Sequence, residues 1–219
     1  MEGQFHSPLE QRIAGKRAQT KEQNRRVILD AARHVFAELG YGATTVRDII
    51  RATPLASGTF YNYFRSKEEV FQAMRDEAAL TLRPLLCDAR QKAETAEEFV
   101  SATFGTFFAY VAENSSQSAG ISRSEAIHVR VDTPEILAGF EELKADLEAA
   151  IARGLFPPLD AGFLTASMVG VAFEIADAMQ KRVPAAPEEA TRFATALFMG
   201  GLRALPQRND RPAVANETA

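Results

Sequence analysis

The chain has 219 residues, of which 46% are hydrophobic and 25% are charged, as in an ordinary soluble globular protein. Its single cysteine, Cys87, excludes an intrachain disulfide and a cysteine-rich zinc site, and no apolar run approaches the roughly 18 residues that suggest a membrane span. The net charge of −4 combines an acidic body with a basic head, which has 11 Lys and Arg against 6 Asp and Glu in residues 1–67, so only the head suits contact with DNA phosphates.

The first twenty residues lack a sustained apolar period and contain two glycines and a proline, so we expect a flexible arm over residues 1–20. Arg12, Lys16 and Arg17 make this arm basic. Two interpretations stay open. The arm is either a solvated tail or a segment that adds phosphate or minor-groove contacts when DNA is present.

A first helix is predicted over residues 21–39, with Gly40 as its C-terminal stop. Its apolar residues recur at helical spacing and are expected on the buried side: Val27, Ile28, Ala31, Val35, Phe36 and Leu39. Arg25 and Arg26 are either near DNA or solvated surface charges.

Two short helical segments follow, over residues 46–52 and 56–64, separated by the break Thr53-Pro54-Leu55. Leu55, Phe60 and Phe64 are the apolar anchors of the second segment. Between these anchors lie two tyrosines, an asparagine, a glycine and small hydroxyl residues. A core-facing helix does not normally expose such a set, whereas a helix in a DNA groove uses all of them. The pattern predicts a helix-turn-helix that reads DNA.

A capping box begins the next predicted helix, because Ser66 is followed three positions later by Glu69. We expect this helix to continue to about residue 92, with a bend near Pro84.

Four sequence blocks, in this order, resemble the N-terminal domain of the TetR family of bacterial transcriptional repressors. They are Phe36-Ala37-Glu38-Leu39-Gly40, Thr45-Val46-Arg47-Asp48-Ile49, Gly58-Thr59-Phe60-Tyr61-Asn62-Tyr63-Phe64 and Ser66-Lys67-Glu68-Glu69. The resemblance covers roughly residues 21–74. The turn departs from it: family members usually carry Ala-Gly-Val-Ser there, and this chain has Thr53-Pro54-Leu55-Ala56. Since proline fixes φ and lacks an N–H, the turn must satisfy both restrictions.

We expect an all-α fold of about nine helices. A three-helix helix-turn-helix domain is predicted at residues 21–66, a larger helical ligand-binding and dimerisation domain at residues 67–206, and a frayed tail at residues 207–219. The resemblance implies that the helix after residue 66 links the DNA reader to the body, so ligand-driven movement would pass through it.

The predicted DNA-binding residues combine the resemblance with the chemistry of the side chains. The resemblance implies that Ser57, Thr59, Tyr61, Asn62 and Tyr63 face DNA and that Lys67 binds a phosphate. Gly58 permits close approach of the backbone, Arg47 is expected at a phosphate, and Thr45 either caps its helix or donates to a phosphate.

Asn62 has the best chemistry for a base edge, because its amide pairs both ways with adenine. Tyr61 and Tyr63 donate to phosphate and pack on sugar or a thymine methyl group. The alternative that one of these tyrosines is partly core stays open.

The body is predicted to contain further helices. Thr95 and Glu98 form a second capping box ahead of a helix over residues 96–113, and segments at 122–131 and 134–154 follow. The last two helices, over residues 161–182 and 188–205, mix small and large apolar side chains. Small residues let helices approach closely, and a leftover apolar pair would pack on its twin. The resemblance likewise implies a homodimer through the last two helices, which suits two half-sites on a palindrome.

An apolar cavity for a small molecule is the predicted task of the body. Its candidate lining residues are Phe104, Phe107, Phe108, Phe140, Met168 and Phe173, with Arg123, His128, Glu174, Asp177 and Gln180 as polar anchors. For any single aromatic, ordinary core is the competing interpretation. Glu174 and Asp177 face solvent, form salt bridges across the dimer, or meet a cationic group of a ligand.

The sequence favours a dimeric, ligand-responsive repressor with an operator DNA, a second copy and an unidentified small-molecule effector as partners. We expect no cofactor, no metal and no membrane, and a cytoplasmic location. An enzyme is disfavoured, because the chain has three histidines, one cysteine and no nucleophile elbow or phosphate-cradling glycine loop. A DNA-binding regulator whose body recruits a protein partner is the alternative.

Overall fold

The computed structural model describes residues 8–114, 133–202 and 204–205. Within these ranges the chain forms eight α-helices and no strand, which confirms the all-α prediction. The helix predicted at residues 122–131 lies outside the described residues. In chain order the helices are α1 (Pro8–Leu39), α2 (Val46–Arg51), α3 (Ser57–Tyr61), α4 (Lys67–Gln91), α5 (Ala96–Glu113), α6 (Pro134–Ala152), α7 (Ala161–Gln180) and α8 (Pro187–Leu202).

Helix α1 begins at Pro8, well ahead of the start predicted at residue 21. The expectation of irregular structure across residues 8–20 is therefore wrong. A proline in the first turn lacks only an N–H that has no intrahelical partner, and a lone glycine such as Gly15 costs about 1 kcal/mol relative to alanine. The remaining residues up to 26 are mostly Lys, Arg, Gln, Ala and Glu, which are good helix formers.

The buried face of α1 is rotated slightly from the predicted one. Ile28 and Phe36 are fully buried as expected, but Leu39 is 51% exposed, while Leu29 and Ala32 are fully buried. Leu39 lies in the last turn, beside Gly40, whose φ of 78° ends the helix as predicted. The helix therefore ends with Leu39 outside the apolar cluster that contains Ile28 and Phe36.

The chain packs as two units, and the division falls within α4, between Met74 and Arg75. In the N-terminal unit, α1, α2, α3 and the start of α4 enclose one apolar cluster. Phe36, Tyr41 and Phe71 form its aromatic centre, with ring centroids of Tyr41 lying 5.3 Å from Phe36 and 5.1 Å from Phe71. Phe60 and Phe64 attach the second helix of the helix-turn-helix to this cluster.

The C-terminal unit has a separate core formed by α5, α6, α7 and α8. Its largest fully buried side chains include Phe99, Phe104, Phe108, Leu147 and Met168. Helix α5 packs extensively on α8, and α7 packs on α5, α6 and α8. The aromatic α5 segment is therefore at the centre of this unit, as its sequence predicts.

Side-chain caps fix most helix starts in the C-terminal unit. Thr95 accepts a hydrogen bond from the backbone N–H of Glu98 at 3.1 Å, which confirms the predicted cap of α5. Thr133 and Asp160 cap α6 and α7 in the same way. The predicted bounds of α5, α6, α7 and α8 hold to within three residues, because such caps are encoded within one helical turn.

Two ion pairs join α4 to α6 inside the C-terminal unit. Arg83 forms a two-point pair with Glu142, donating from Nε at 3.0 Å and also from its terminal nitrogen. Arg90, which is 2% exposed, donates from Nε to Asp146 at 2.6 Å. The hydrogen bond and charge of Arg83 hold the pKa of Glu142 below its usual value against the opposing effect of burial. Helix α4 continues through Pro84 between these two contacts.

Candidate nucleic-acid interface and aromatic cluster

Helix α2 begins at a reciprocal cap built by Thr45 and Asp48. The Thr45 hydroxyl accepts from the Asp48 backbone N–H at 3.3 Å and donates to the Asp48 carboxylate at 2.6 Å, while the Thr45 backbone N–H donates to that carboxylate at 2.9 Å. These bonds from Thr45, assisted by the charges of Arg51 and Arg47, lower the pKa of Asp48. The Thr45 hydroxyl proton is therefore already engaged by Asp48.

The turn between α2 and α3 is closed by the side chain of Thr53. Its hydroxyl donates to the Ile50 carbonyl at 2.8 Å and accepts from the Leu55 N–H at 3.2 Å. These two bonds span Pro54, which has no N–H of its own to contribute. Among the described residues no non-glycine residue has a positive φ, so the proline replaces the usual family turn without left-handed backbone.

Helix α3 is shorter than predicted, because it ends at Tyr61 with Asn62 as its C-cap. The backbone nevertheless keeps turning, since the N–H groups of Tyr63 and Phe64 both donate to the Phe60 carbonyl, at 2.9 and 3.1 Å. Phe60 and Phe64 are both buried, as the anchor assignment requires. Asn62 therefore lies at the end of the helix.

A row of exposed residues covers the outer side of this element. Ser57, Gly58 and Asn62 are exposed, and Tyr61 is 57% exposed although it follows a buried phenylalanine. Thr59 and Tyr63 are half-buried, and Tyr63 packs against the apolar cluster of the N-terminal unit, so it is the tyrosine that is partly core. A Cβ at Gly58 would meet nothing within 4 Å, so no packing inside the protein requires a glycine there.

The N-terminus of α3 has no side-chain cap, because the N-cap residue is Ala56. The equivalent position in the usual family turn is a serine, whose hydroxyl can accept from a free N–H of the first turn. Alanine at an N-cap costs about 1 kcal/mol relative to serine. This helix start depends on its neighbours for stability.

The side chain of Lys67, the first residue of α4, reaches the loop after α1 and does not extend freely into solvent. Its ammonium donates to the backbone carbonyls of Tyr41, Gly42 and Thr44, at 2.8, 3.2 and 2.9 Å, and lies 4.5 Å from the centre of the Tyr41 ring. An ammonium group has three N–H donors. All three are matched by carbonyls of the segment that precedes α2.

Tyr41 is a contributor to this arrangement that the sequence did not reveal. Its hydroxyl donates to Glu68 at 3.1 Å, and its ring packs between Phe36 and Phe71. Burial raises the pKa of Glu68, but hydrogen bonds from its own backbone N–H, Ser66 and Tyr41, with the charge of Lys67, outweigh burial and lower it overall. The sequence signal that could have indicated this role is the position of an aromatic residue directly after the glycine that ends α1.

Two arginines of the N-terminal unit were candidates for contact with DNA. Arg47 is exposed in the first turn of α2, where the sequence predicts a phosphate contact. Arg25 of α1 is half-buried, with its guanidinium carbon 5.7 Å from the centre of the Phe64 ring. This contact joins α1 to the segment that follows α3.

The structure brings the predicted aromatic residues of the body together. Phe104 and Phe108 stack with centroids 5.9 Å apart, Phe107 contacts Phe108 at 5.8 Å, and Phe107 and Phe140 contact Phe173 at 5.5 and 6.5 Å. We call these five residues the aromatic cluster. It joins α5, α6 and α7.

The polar anchors predicted for a ligand are less closely grouped. Asp177 pairs with Lys181 on its own helix at 2.6 Å, and Glu174 is exposed. Gln180 has a buried side-chain nitrogen that finds no hydrogen-bond acceptor among the described residues. Met168 is almost fully buried. Arg123 and His128 lie outside the described residues.

An apolar face is exposed along α7 and α8. On α8 it follows the spacing of one helical stripe through Phe193, Ala196, Leu197, Gly200 and Gly201, with Phe193 62% exposed. On α7 it includes Phe163, Ala166 and Gly170. A Cβ at Gly170, Gly200 or Gly201 would meet nothing within 4 Å. We call this surface the α7/α8 face.

Helix α7 is the one helix among the described residues that is long and apolar enough to cross a membrane by length and composition. Much of its surface is exposed, and the exposed residues Phe163, Ala166 and Gly170 belong to the α7/α8 face. The neighbouring α8 is shorter and carries Glu188, Glu189 and Arg192 in its first two turns.

Comparison with known proteins finds a family match within the N-terminal unit. Residues 28–74 match the profile of the family described as bacterial regulatory proteins, tetR family. The chain is also similar to an uncharacterised helix-turn-helix transcriptional regulator of Haemophilus influenzae, with 32% identity over 105 residues. That match covers 48% of this chain and 51% of the relative, so the chain spans about half the length of this curated relative.

Solved structures resemble the chain over most of its length. The fatty acid degradation regulator FadR from Bacillus halodurans superposes with a TM-score of 0.71 and 25% identity, covering 82% of this chain and 96% of that one. FadR from Bacillus subtilis in complex with stearoyl-CoA gives a TM-score of 0.63 with 20% identity, covering 83% and 99%. The second likeness concerns the fold alone.

Proposed function

We propose that the chain is a dimeric repressor of the TetR family, whose profile residues 28–74 match, and that it is released from a palindromic operator by a small, largely apolar ligand. One observation carries the DNA-reading part of this proposal. Ser57, Gly58, Tyr61 and Asn62 are exposed on a short element whose other side is held by buried Phe60 and Phe64. The anchors fix the orientation of the exposed row, which is what base recognition requires.

We propose that the nine predicted DNA-binding residues divide into contacts and supports. Asn62 reads a base edge, and Ser57, Thr59, Tyr61 and Tyr63 contact the sugar-phosphate backbone or thymine methyl groups. Gly58 admits the DNA backbone closely, and Arg47 binds a phosphate. Thr45 and Lys67 act mainly as supports, because their donors are engaged by Asp48 and by three carbonyls.

The test separates base reading from support. After an operator has been obtained by selecting bound genomic DNA, Asn62→Ala is expected to lose about 1–3 kcal/mol of operator binding and little random-sequence binding. Lys67→Met is expected to weaken both and to lower the melting temperature of the protein, because three carbonyls lose their donor. Equal losses on operator and random DNA for Asn62→Ala contradict the base-reading role.

The α7/α8 face supports the proposed homodimer. Its glycines are not required by packing within one chain, and open glycines on a helix allow a second helix to approach closely. Its exposed phenylalanines and Leu197 would be buried by that approach. Two copies related by a two-fold axis present two readers to two half-sites.

A matched pair of variants on α8 tests the dimer. The unmodified chain is expected to scatter light as a dimer and Leu197→Glu as a monomer, whereas Arg192→Glu, an exposed change on the same helix, stays dimeric. A monomeric unmodified chain at micromolar concentration contradicts the proposal. If Leu197→Glu also remains dimeric, the exposed face is left for a protein partner, which is the alternative function.

The aromatic cluster supports an apolar effector. Its five rings connect three helices, so a ligand inserted among them would change the packing of α5, α6 and α7 together. The likeness to a fatty acid degradation regulator, and to FadR from Bacillus subtilis in complex with stearoyl-CoA, makes a long-chain acyl-CoA the first compound to try. Stearoyl-CoA is expected to lower operator affinity in the unmodified chain and less in Phe107→Ala. Unchanged operator affinity with stearoyl-CoA and shorter acyl-CoAs excludes this ligand class.

The proposed location is the cytoplasm, where operator DNA is found. The proposed dimer accounts for much of the apolar composition of α7, because Phe163, Ala166 and Gly170 of this helix belong to the α7/α8 face. Recovery of the protein in the soluble fraction of cells without detergent tests this assignment against membrane insertion.

A further inference from the structure

Part of α1 near its N-terminus has no side that is buried in the protein. Every residue from 17 to 23 is exposed, and from residue 17 onwards the first fully buried residue is Ile28. Two helical turns are therefore surrounded by solvent on all sides. A helix that is polar all round derives no stability from packing, so its persistence points to another role or to strong local pairing.

Local pairing on this segment is partly unfavourable. Arg17, Lys21 and Arg25 follow one another at four-residue intervals, which stacks three positive charges on one side of the helix. We call these three residues the basic stripe. Like charges at this spacing repel each other in the free helix, and a polyanion lying along the stripe would remove the repulsion.

The basic stripe leads to the DNA reader. Its last member, Arg25, lies 5.7 Å from the centre of the Phe64 ring, and Phe64 follows Asn62 by two residues. The three positions rise by about 6 Å from one to the next along the helix axis. Charges at that interval lie close enough together for each to meet a separate phosphate of one DNA strand.

We propose that Arg17 and Lys21 bind phosphates of DNA beside the helix-turn-helix, extending the footprint of each reader without adding sequence preference. The inference rests on the proposed DNA-binding function and adds a second, sequence-independent contact surface to it. Arg25 is shared between this surface and the protein, since its guanidinium is held against Phe64.

The experiment compares two charge-matched double variants on a random-sequence duplex of roughly 30 base pairs, about three helical turns. One is Arg17→Gln with Lys21→Gln. The other is Arg153→Gln with Lys92→Gln, which removes the same two charges from exposed positions of the C-terminal unit. Binding is measured across salt concentrations, and circular dichroism checks that helix content is retained.

The slope of log affinity against log salt is expected to flatten by about 0.9 for each phosphate that the first variant no longer binds, and to stay unchanged in the control. Operator and random DNA should lose the same factor in affinity. Slopes that are equal in the two variants overturn the inference. If Asn62→Ala still loses operator preference in that case, the DNA-reading function stands and only the basic stripe fails; an unmodified chain that binds no duplex at low salt removes both.

Discussion

The long-range side-chain contacts of the two units differ in kind. In the N-terminal unit, Lys67 donates to backbone carbonyls 23 to 26 residues earlier, and Tyr41 donates to Glu68, 27 residues later. In the C-terminal unit, Arg83 and Arg90 form ion pairs with carboxylates 59 and 56 residues away. The first contacts hold one loop of a small reader against the start of α4. The second contacts join helices that are distant in sequence.

Exposed apolar surface distinguishes the units as well. In the described part of the N-terminal unit, the large exposed hydrophobic side chains are Leu39 and Tyr61, one at a helix end and one on the proposed DNA-facing row. The C-terminal unit exposes a continuous apolar stripe on α8 and part of α7. The N-terminal unit therefore needs no second chain to bury its apolar side chains. The C-terminal unit exposes the α7/α8 face, which a second chain would cover.

The largest expected effect is a loss of stability that differs between two neighbouring aromatic residues of the reader, Phe60 and Tyr61. Phe60→Ala should destabilise the N-terminal unit by about 3–5 kcal/mol, because the ring is 1% exposed and its removal leaves a cavity. Tyr61→Ala should leave the denaturant midpoint nearly unchanged while weakening DNA binding. Comparable loss of stability in both variants would show that the exposed row is part of the core.

In the C-terminal unit the corresponding test compares the two ion pairs. Asp146→Asn is expected to cost about 2–4 kcal/mol, because it leaves the buried guanidinium of Arg90 without its counter-charge. Glu142→Gln should cost about 1 kcal/mol or less, since both members of that pair are partly solvated. Urea unfolding of the two variants measures the difference, and the reverse order would contradict the burial argument.

A smaller effect is expected at the uncapped start of α3. Ala56→Ser should raise stability by about 1 kcal/mol, because the hydroxyl accepts a hydrogen bond from the first turn. The control is Ala18→Ser on the exposed part of α1, where no cap is formed and the change should be neutral or slightly unfavourable. A thermal melt that ranks the two variants equally would exclude a capping role.

The smallest expected effect is a dependence on pH at Glu68. Its folded pKa lies below the usual value of 4.5, so its contribution to stability is present above that value and is lost as the pH falls through the folded pKa. Glu68→Gln should therefore reduce the stability difference between about pH 7 and pH 4. Tyr41→Phe, which removes one hydrogen bond to the carboxylate, should reduce it less.

Sequence reasoning succeeded where the information is contained within one helical turn. The caps of α4 and α5 at Ser66 and Thr95, the stop at Gly40 and the anchors Phe60 and Phe64 were all predicted and are present. The start of α1 differs from the prediction, because residues 8–20 have no apolar face by which a helix could be recognised in the sequence. The good helix formers in this segment are a separate signal, which the apolar pattern does not contain.

Contacts between residues that are distant in sequence could not be predicted in this way. The acceptors of Lys67 are backbone carbonyls 23 to 26 residues earlier. Every residue has such a carbonyl, so the sequence does not indicate which ones accept. The partner of Arg90 is one carboxylate among many on the helices of the body. The sequence also could not say which of the predicted tyrosines is held by the core, since that depends on how α3 is rotated.

Thr53 and Pro54 contribute to this turn as a pair. Proline disfavours helical backbone in the preceding residue, and in this turn the Thr53 hydroxyl bonds to groups on both sides of the proline. Replacing Thr53 by a residue without a hydroxyl would remove the acceptor of the Leu55 N–H while the restriction from proline stayed in place. The two positions are therefore coupled through one side chain.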